Sequence, residues 1–357
     1  MDKTLLQIIS HRLASHGLVS GVFKTPYDVV QHMGAMQAQD IPQATRAVGS
    51  RIAGSSKSTI KKALSDGSIV RTRPMRGTLH YLAPERVHWM LDLCASKTLS
   101  GFAKRREFLG ITDVYAQQAL ELMSKALRGG KCLTRTQMGQ MLQDGGIPMQ
   151  TQRVYHLACY AATRKLICFG PPTDKEETFV LLDERIPNRP TLTHEAQLAE
   201  LARMYIAGHG PATTDDLARW TGLGKGECKK AFALVADEFQ TISYQDKLYY
   251  YQEHKTIIGS HALLLAGFDE YFLGYKDRSI VADMEHFGKL FTSNGIFFPL
   301  VMIDGRIVGT WKRAIKKNTM DIVVTGLPGV KLSKDVVQEQ AQRYAGFRGI
   351  EQVSVQL

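Results

Sequence analysis

The chain has few cysteines, fewer acids than bases and no long apolar run, and each shortage removes a class of function. Its five cysteines, Cys94, Cys132, Cys159, Cys168 and Cys228, are odd in number, form no C-x-x-C pair and have no histidine pair beside them at ligand spacing. That pattern argues against a disulfide framework and against zinc, and a reducing compartment suits it; no metal and no cofactor are expected. The apolar run Ala262–Phe268 is far too short to cross a bilayer. The opening MDKTLLQIISHRL has neither the basic start nor the long apolar stretch of a secretory leader. The expectation is a cytoplasmic protein with no membrane partner.

What is present is a globular composition, 44% hydrophobic over 357 residues, with a length that allows two or three domains. The net charge is +11, unevenly spread. Residues 1–90 hold twelve Lys and Arg against five Asp and Glu, and residues 91–180 hold twelve against eight. Residues 181–270 reverse the balance, nine against thirteen, and residues 271–357 return to twelve against eight. A field graded in this way suits a polyanion that engages the first half of the molecule.

Three stretches repeat one order: capped helix, turn, second helix, two strands joined by a tip. The second is the clearest. Thr134 and Gln137 form a capping box, Asp144-Gly145-Gly146 ends that helix, and a second helix follows from about Gln150 to Arg164. Leu166–Phe169 and Thr178–Leu182 then read as strands around the polar tip Gly170–Glu177. In the third, Thr213 with Asp216 caps a helix, Gly222-Leu223-Gly224 turns, Lys225–Val235 forms the next helix, and Ile242–Tyr244 and Leu248–Tyr251 flank a tight turn. The first opens on Thr25-Pro26-x-Asp28 and closes with Ile69–Arg73 and Thr78–Leu82. After residue 254 the pattern changes. Asp304-Gly305 marks a type I′ hairpin, Asp321–Thr325 is β-rich, and Lys334–Tyr344 reads as a helix. The expected class is α+β: three tandem winged-helix units at 1–115, 116–190 and 191–253, with a C-terminal β-rich α+β region at 254–357.

A winged helix presents cations on its second helix and its wing. Arg71 and Arg73, two apart on a strand, should share a side, with Arg76 at the wing tip. Arg135, Gln150, Gln152 and Arg153 surround the second helix pair, and Lys312-Arg313 with Lys316-Lys317 form a late basic cluster. His80 borders the wing strand as a DNA contact or a structural histidine. The third unit, with six bases against nine acids over residues 191–253, reads as scaffold. Trp89, Trp220 and Trp311 receive no role, and Asp277-Arg278 reads as a structural ion pair.

The segment Met36-Gln37-Ala38-Gln39-Asp40 resembles the AlkZ/YcaQ family of winged-helix DNA glycosylases. The resemblance continues through Val70–His80, Gly267–Tyr271, Gly274–Ser279 and Asp304–Lys312, in order along most of the chain. It implies tandem winged helices forming a cleft for DNA, removal of alkylated bases, and a catalytic Gln37 and Gln39. Gln39 belongs to the Gln branch of that family, and Asp40 is not equated with the Asp of the other. An amide is no general base, yet it can hold water by donating and accepting hydrogen bonds. A guanine alkylated at N7 is already cationic and leaves without protonation, so positioning and preorganised dipoles suffice. In a helix, residues two apart lie about 200° apart around the axis, so both amides reach one point only from extended chain. The helix from Pro26 should therefore end by about Met36. With no lysine identifiable as a Schiff-base nucleophile, hydrolysis without strand cleavage is expected. The partner is double-stranded DNA carrying alkylated bases, with no obligate protein partner and a monomer preferred. A non-enzymatic winged-helix regulator or lesion-binding protein, or a relative that lost activity, stands as the alternative.

Overall fold

Each expected helix start is visible in the computed structural model, which describes residues 2–19, 21–173, 176–255 and 261–357. Thr25 and Asp28 exchange the two bonds of a capping box and open the helix Pro26–Met33. Thr134 with Gln137 opens Arg135–Asp144, and Thr213 with Asp216 opens Thr214–Thr221. The partner helices are Thr151–Thr163 and Lys225–Ala233. Hairpins follow at Val70–Met75 with Thr78–Leu82, Ile167–Phe169 with Thr178–Leu181, and Gln240–Tyr244 with Lys247–Tyr251. Within the second tip, residues 174 and 175 lie outside the described residues.

The first two hairpins are not separate wings. They share one six-stranded sheet, ordered Met36–Gln37, Thr78–Leu82, Val70–Met75, Ile167–Phe169, Thr178–Leu181, Leu133–Thr134. The seam pairs Arg71 with Phe169. Joining edges in this way removes two rows of unpaired backbone groups. The third hairpin remains two-stranded, its neighbouring contact a bridge from Ala212 to Tyr250.

The C-terminal region is a five-stranded sheet in the order Gln352–Gln356, Thr319–Gly326, Arg306–Lys316, Leu300–Ile303, Ala262–Leu264, parallel only in its first pair. Asp304 (φ 50°) and Gly305 (φ 76°) make its tight turn, as the Asp-Gly pair requires. The helix Lys334–Arg348 covers this sheet. One continuous core runs from Val29, Met33 and Met36 of the first unit to Trp311 and Tyr344 of this region. The N-terminal helix Lys3–Ser15 packs Ile8, Ile9 and Leu13 beside Tyr271, Met302 and Ile307. Arg51 and Asp269, both fully buried, close the same junction with bonds of 2.8 and 3.0 Å. Among the described residues no helix is long and apolar enough to cross a membrane.

Candidate active site

The site begins at a helix end. Pro26–Met33 stops at Gly34, whose φ of 79° suits glycine. A Cβ there would also strike the side chain of Met204 on the helix His194–His209. The chain then runs extended: Met36 pairs with Tyr81, Gln37 pairs with His80, and the Ala38 N–H donates to the Leu79 carbonyl at 2.7 Å. Met36 and Ala38 point into the core, while Gln37 is half-buried and Gln39 exposed. Period-two alternation thus brings the two amides to one side, as expected of non-helical chain at 37–39. The Gln37 Nε2 donates to the Gln39 Oε1 at 3.4 Å. The Gln37 Oε1 is buried and has no partner among the described residues. The pair therefore offers an acceptor and, through the Gln39 amide nitrogen, a donor to a third group.

Beneath this strand lies a carboxylate. Glu270 is 2% exposed; its Oε1 accepts the Gln37 backbone N–H at 2.8 Å and its Oε2 accepts the Trp220 Nε1–H at 3.0 Å. His209 Nε2 stands 3.6 Å from Oε2, ion-pair distance and too long for a hydrogen bond. Burial by itself would raise this carboxyl. The neighbouring His209 and His80 and the Gln37 backbone N–H together outweigh burial and hold it below the ordinary carboxylate value. An ionised group is therefore fixed directly behind the catalytic-candidate strand at neutral pH. Its sequence signal was slight: Asp269-Glu270 interrupts an otherwise apolar stretch, and acids buried there need partners. No spacing rule points from Glu270 to Gln37, Trp220 or His209, because all three pairings are tertiary.

The expected DNA contacts divide. His80 is fully buried, its Nδ1 3.0 Å from the Thr78 carbonyl, and burial followed by the charge of Arg76 lowers its pKa to about 4. It is a neutral imidazole lining the site from within, which corrects its assignment as a DNA contact. Arg71 needs the same correction. Its Nε donates to the Ala38 carbonyl at 2.9 Å, an NH group meets Glu177 at 2.8 Å, and the guanidinium lies over the Phe169 ring. Arg73 also turns to the second unit, donating to Cys159 Sγ at 3.0 Å, to Tyr155 at 3.4 Å and to the Gly77 carbonyl. Both arginines face the second unit, and there they bind protein.

Arg76, at the tip with φ 53°, is half-buried, and its Nε has no partner among the described residues. In the second unit Arg153 holds the Leu109 and Pro148 carbonyls at 2.8 and 2.7 Å, Gln152 accepts from Arg105, and Arg135 is exposed at the start of its helix. Lys312 and Arg313 are consecutive on a strand, so they take opposite faces, one over Phe298 and the other over Tyr344. Asp277 pairs with Lys247, and Arg278 donates to the Phe272 carbonyl at 2.9 Å, so these neighbours are not an ion pair with each other. Trp220, given no role from the sequence, is a partner of Glu270.

A model of the family described as DNA glycosylase AlkZ-like matches residues 30–347. The interstrand DNA cross-link repair glycosylase of Streptomyces sahachiroi is 26% identical over 378 aligned positions that cover the whole of both chains. The solved structure of Streptomyces sahachiroi DNA glycosylase AlkZ is similar in fold, with a TM-score of 0.81 at 23% identity, covering 99% of this chain and 100% of that one. The family match takes in the glutamine strand, the buried glutamate behind it and the whole six-stranded sheet, and the chain accordingly belongs to the AlkZ-like DNA glycosylases.

Proposed function

We propose that this DNA glycosylase hydrolyses the N-glycosidic bond of cationic N-alkylated purines, N7-alkylguanine foremost, in double-stranded DNA. Gln37 and Gln39 hold the attacking water. The observation that carries this reading is the meeting of the two amides at 3.4 Å on extended chain. The lesion supplies the leaving group: the C1′–N9 bond breaks, its electrons neutralise the charged ring, and the base departs without a proton. Water then bonds to C1′ of the oxocarbenium-like sugar and gives its proton to solvent. Glu270 acts as a positioning residue through the Gln37 N–H, and its buried charge favours the developing cation. Uncharged bases, being poor leaving groups, are spared.

Bulky N7 adducts and interstrand crosslinks belong to the proposed range, because an amide pair that is partly exposed does not demand that the base swing into a closed pocket. The name of the Streptomyces sahachiroi relative, a cross-link repair glycosylase, supports that extension. The protein works as a monomer in the cytoplasm, with Arg76, Arg135 and Lys312 among its DNA contacts.

The test is incubation with duplex DNA carrying 7-methylguanine, followed by alkali to reveal abasic sites. Wild type should release the base and leave the strand intact before alkali; a Gln37→Ala/Gln39→Ala variant of unchanged melting temperature should not. Full release by that variant overturns the assignment of the glutamines. No release by wild type removes the substrate assignment.

A further inference from the structure

Beside the glutamine strand the structure holds a basic pocket whose residues come from distant parts of the chain. It has a volume of about 600 Å³ and is lined by Arg76 from the first hairpin tip, Lys97 and Thr98 from the helix Ser96–Phe108, and Arg219 and Gly222 from the third unit. No carboxylate lines it. Among the described residues neither Lys97 nor Arg219 makes an ion pair with an acid, although both are exposed. The Arg76 Nε is buried without a partner. The nearest acid acting on Arg76 is Glu270, whose two oxygens already serve Gln37 and Trp220.

We propose that Arg76, Lys97 and Arg219 form a clamp for one backbone phosphodiester of the lesion-bearing strand. This rests on the active-site reading above, which it deepens by naming where the strand is held. Three like charges converging on a concave surface repel one another, and a bound anion relieves that repulsion. The repulsion is felt by a neighbour: Arg278, packed among Phe272, Phe287 and Phe297, is pushed down to about 10, first by burial and then by Arg219 and Arg76. Guanidinium forks fit phosphate oxygens, and the pocket offers two of them plus an ammonium.

The position follows from the hairpin. Arg76 is four residues from His80, which pairs with Gln37. At about 3.3 Å per residue that is at most roughly 13 Å of strand, so the held phosphate lies within about four nucleotides of the target sugar. The third unit thereby becomes a DNA contact, despite its net acidity, through one residue of the helix Thr214–Thr221.

The experiment is a double cycle on the full-length protein. The duplex carries an uncleavable tetrahydrofuran abasic analogue, and the four phosphates on each side are replaced one at a time by neutral methylphosphonates. For wild type, affinity should fall about tenfold at one linkage and much less elsewhere. Arg219→Gln should bind the unmodified duplex about tenfold more weakly, lose nothing further at that linkage, and flatten the slope of log K against log salt by about one. Lys97→Gln runs the same cycle if Arg219→Gln melts early. Losses that multiply at every linkage, or variants that bind with wild-type affinity and salt slope, overturn the clamp. So does a pocket that inorganic phosphate protects in thermal melts while no linkage matters, since that marks a free-anion site. The duplex has no base to release. Wild type that passes this cycle yet leaves 7-methylguanine in place keeps the clamp and loses the catalytic reading; the converse result loses only the clamp.

Discussion

The first unit is joined to the second and to the rest of the molecule in two different ways. Toward the second, the joint is a strand seam closed by a partly exposed pair, with Arg71 and Glu177 at 6% and 21% side-chain exposure. Toward the third unit and the C-terminal region, it is two fully enclosed carboxylates in sequence. Asp269 is matched by the Arg51 guanidinium at 0% exposure on both sides, whereas Glu270 has neutral N–H donors from Gln37 and Trp220. The seam reaches the glutamine strand through Arg71 Nε, which donates to the Ala38 carbonyl between the two amides. The enclosed joint reaches it through Glu270, which accepts the Gln37 backbone N–H. Cations near the seam are spent on protein, and a net-acidic unit supplies Arg219, which makes no ion pair among the described residues. Net charge per unit therefore predicts poorly which cations stay unpaired.

The strongest way to break the comparison is Arg51→Ala. Leaving Asp269 buried without its partner should cost about 3–5 kcal/mol of folding free energy, read by urea denaturation. A cost no larger than that of Arg71→Ala, about 1.5–3 kcal/mol, would mean the two joints are energetically alike. Next is pH. His80 titrates at about 4 when folded against 6.5 for the free side chain, so the unfolded state takes up the proton first. Stability should be level above about pH 6.5 and fall as pH drops toward 4, by about 3 kcal/mol in all. His80→Phe should flatten that window in a melting series; an unchanged slope would assign it elsewhere.

Glu270→Gln comes third. It preserves the acceptor for the Gln37 N–H but removes the charge and presents an N–H to Trp220. We expect kcat to fall by about 10- to 100-fold with KM nearly constant, the mark of a group felt in the transition state. Equal changes in both, or a loss only of folded protein, would reduce Glu270 to a structural tie. Arg71→Ala should cost about 1.5–3 kcal/mol of stability. Its DNA affinity should keep the wild-type salt slope, in contrast to Arg219→Gln. A flattened slope for Arg71→Ala would return that residue to the DNA face. The smallest effect is Lys312→Ala, which should weaken DNA binding only a few-fold and equally across sequences.

The local elements were legible because their causes are local. Thr134 and Gln137, or Asp304 and Gly305, carry the whole instruction for a helix start or a tight turn within a few residues. The extended state of residues 37–39 was legible only through the family resemblance, which implied that two amides meet at one site. The fate of Arg71 was not. A guanidinium fits a phosphate, a carbonyl or a carboxylate equally well by type, and only the seam with Phe169 made protein its partner. Likewise the fusion of two wings depends on edge strands nearly a hundred residues apart, which no window of sequence displays.

By itself, then, the amino-acid order determined where helices begin and where hairpins turn, since backbone sterics and short-range hydrogen bonds decide these. The tertiary structure alone decided which charges are consumed inside and which stay available: Glu270 behind Gln37, Arg71 in the seam, Arg219 in the pocket. Burial and partner distance set the state of a charge, and both exist only once remote segments have packed.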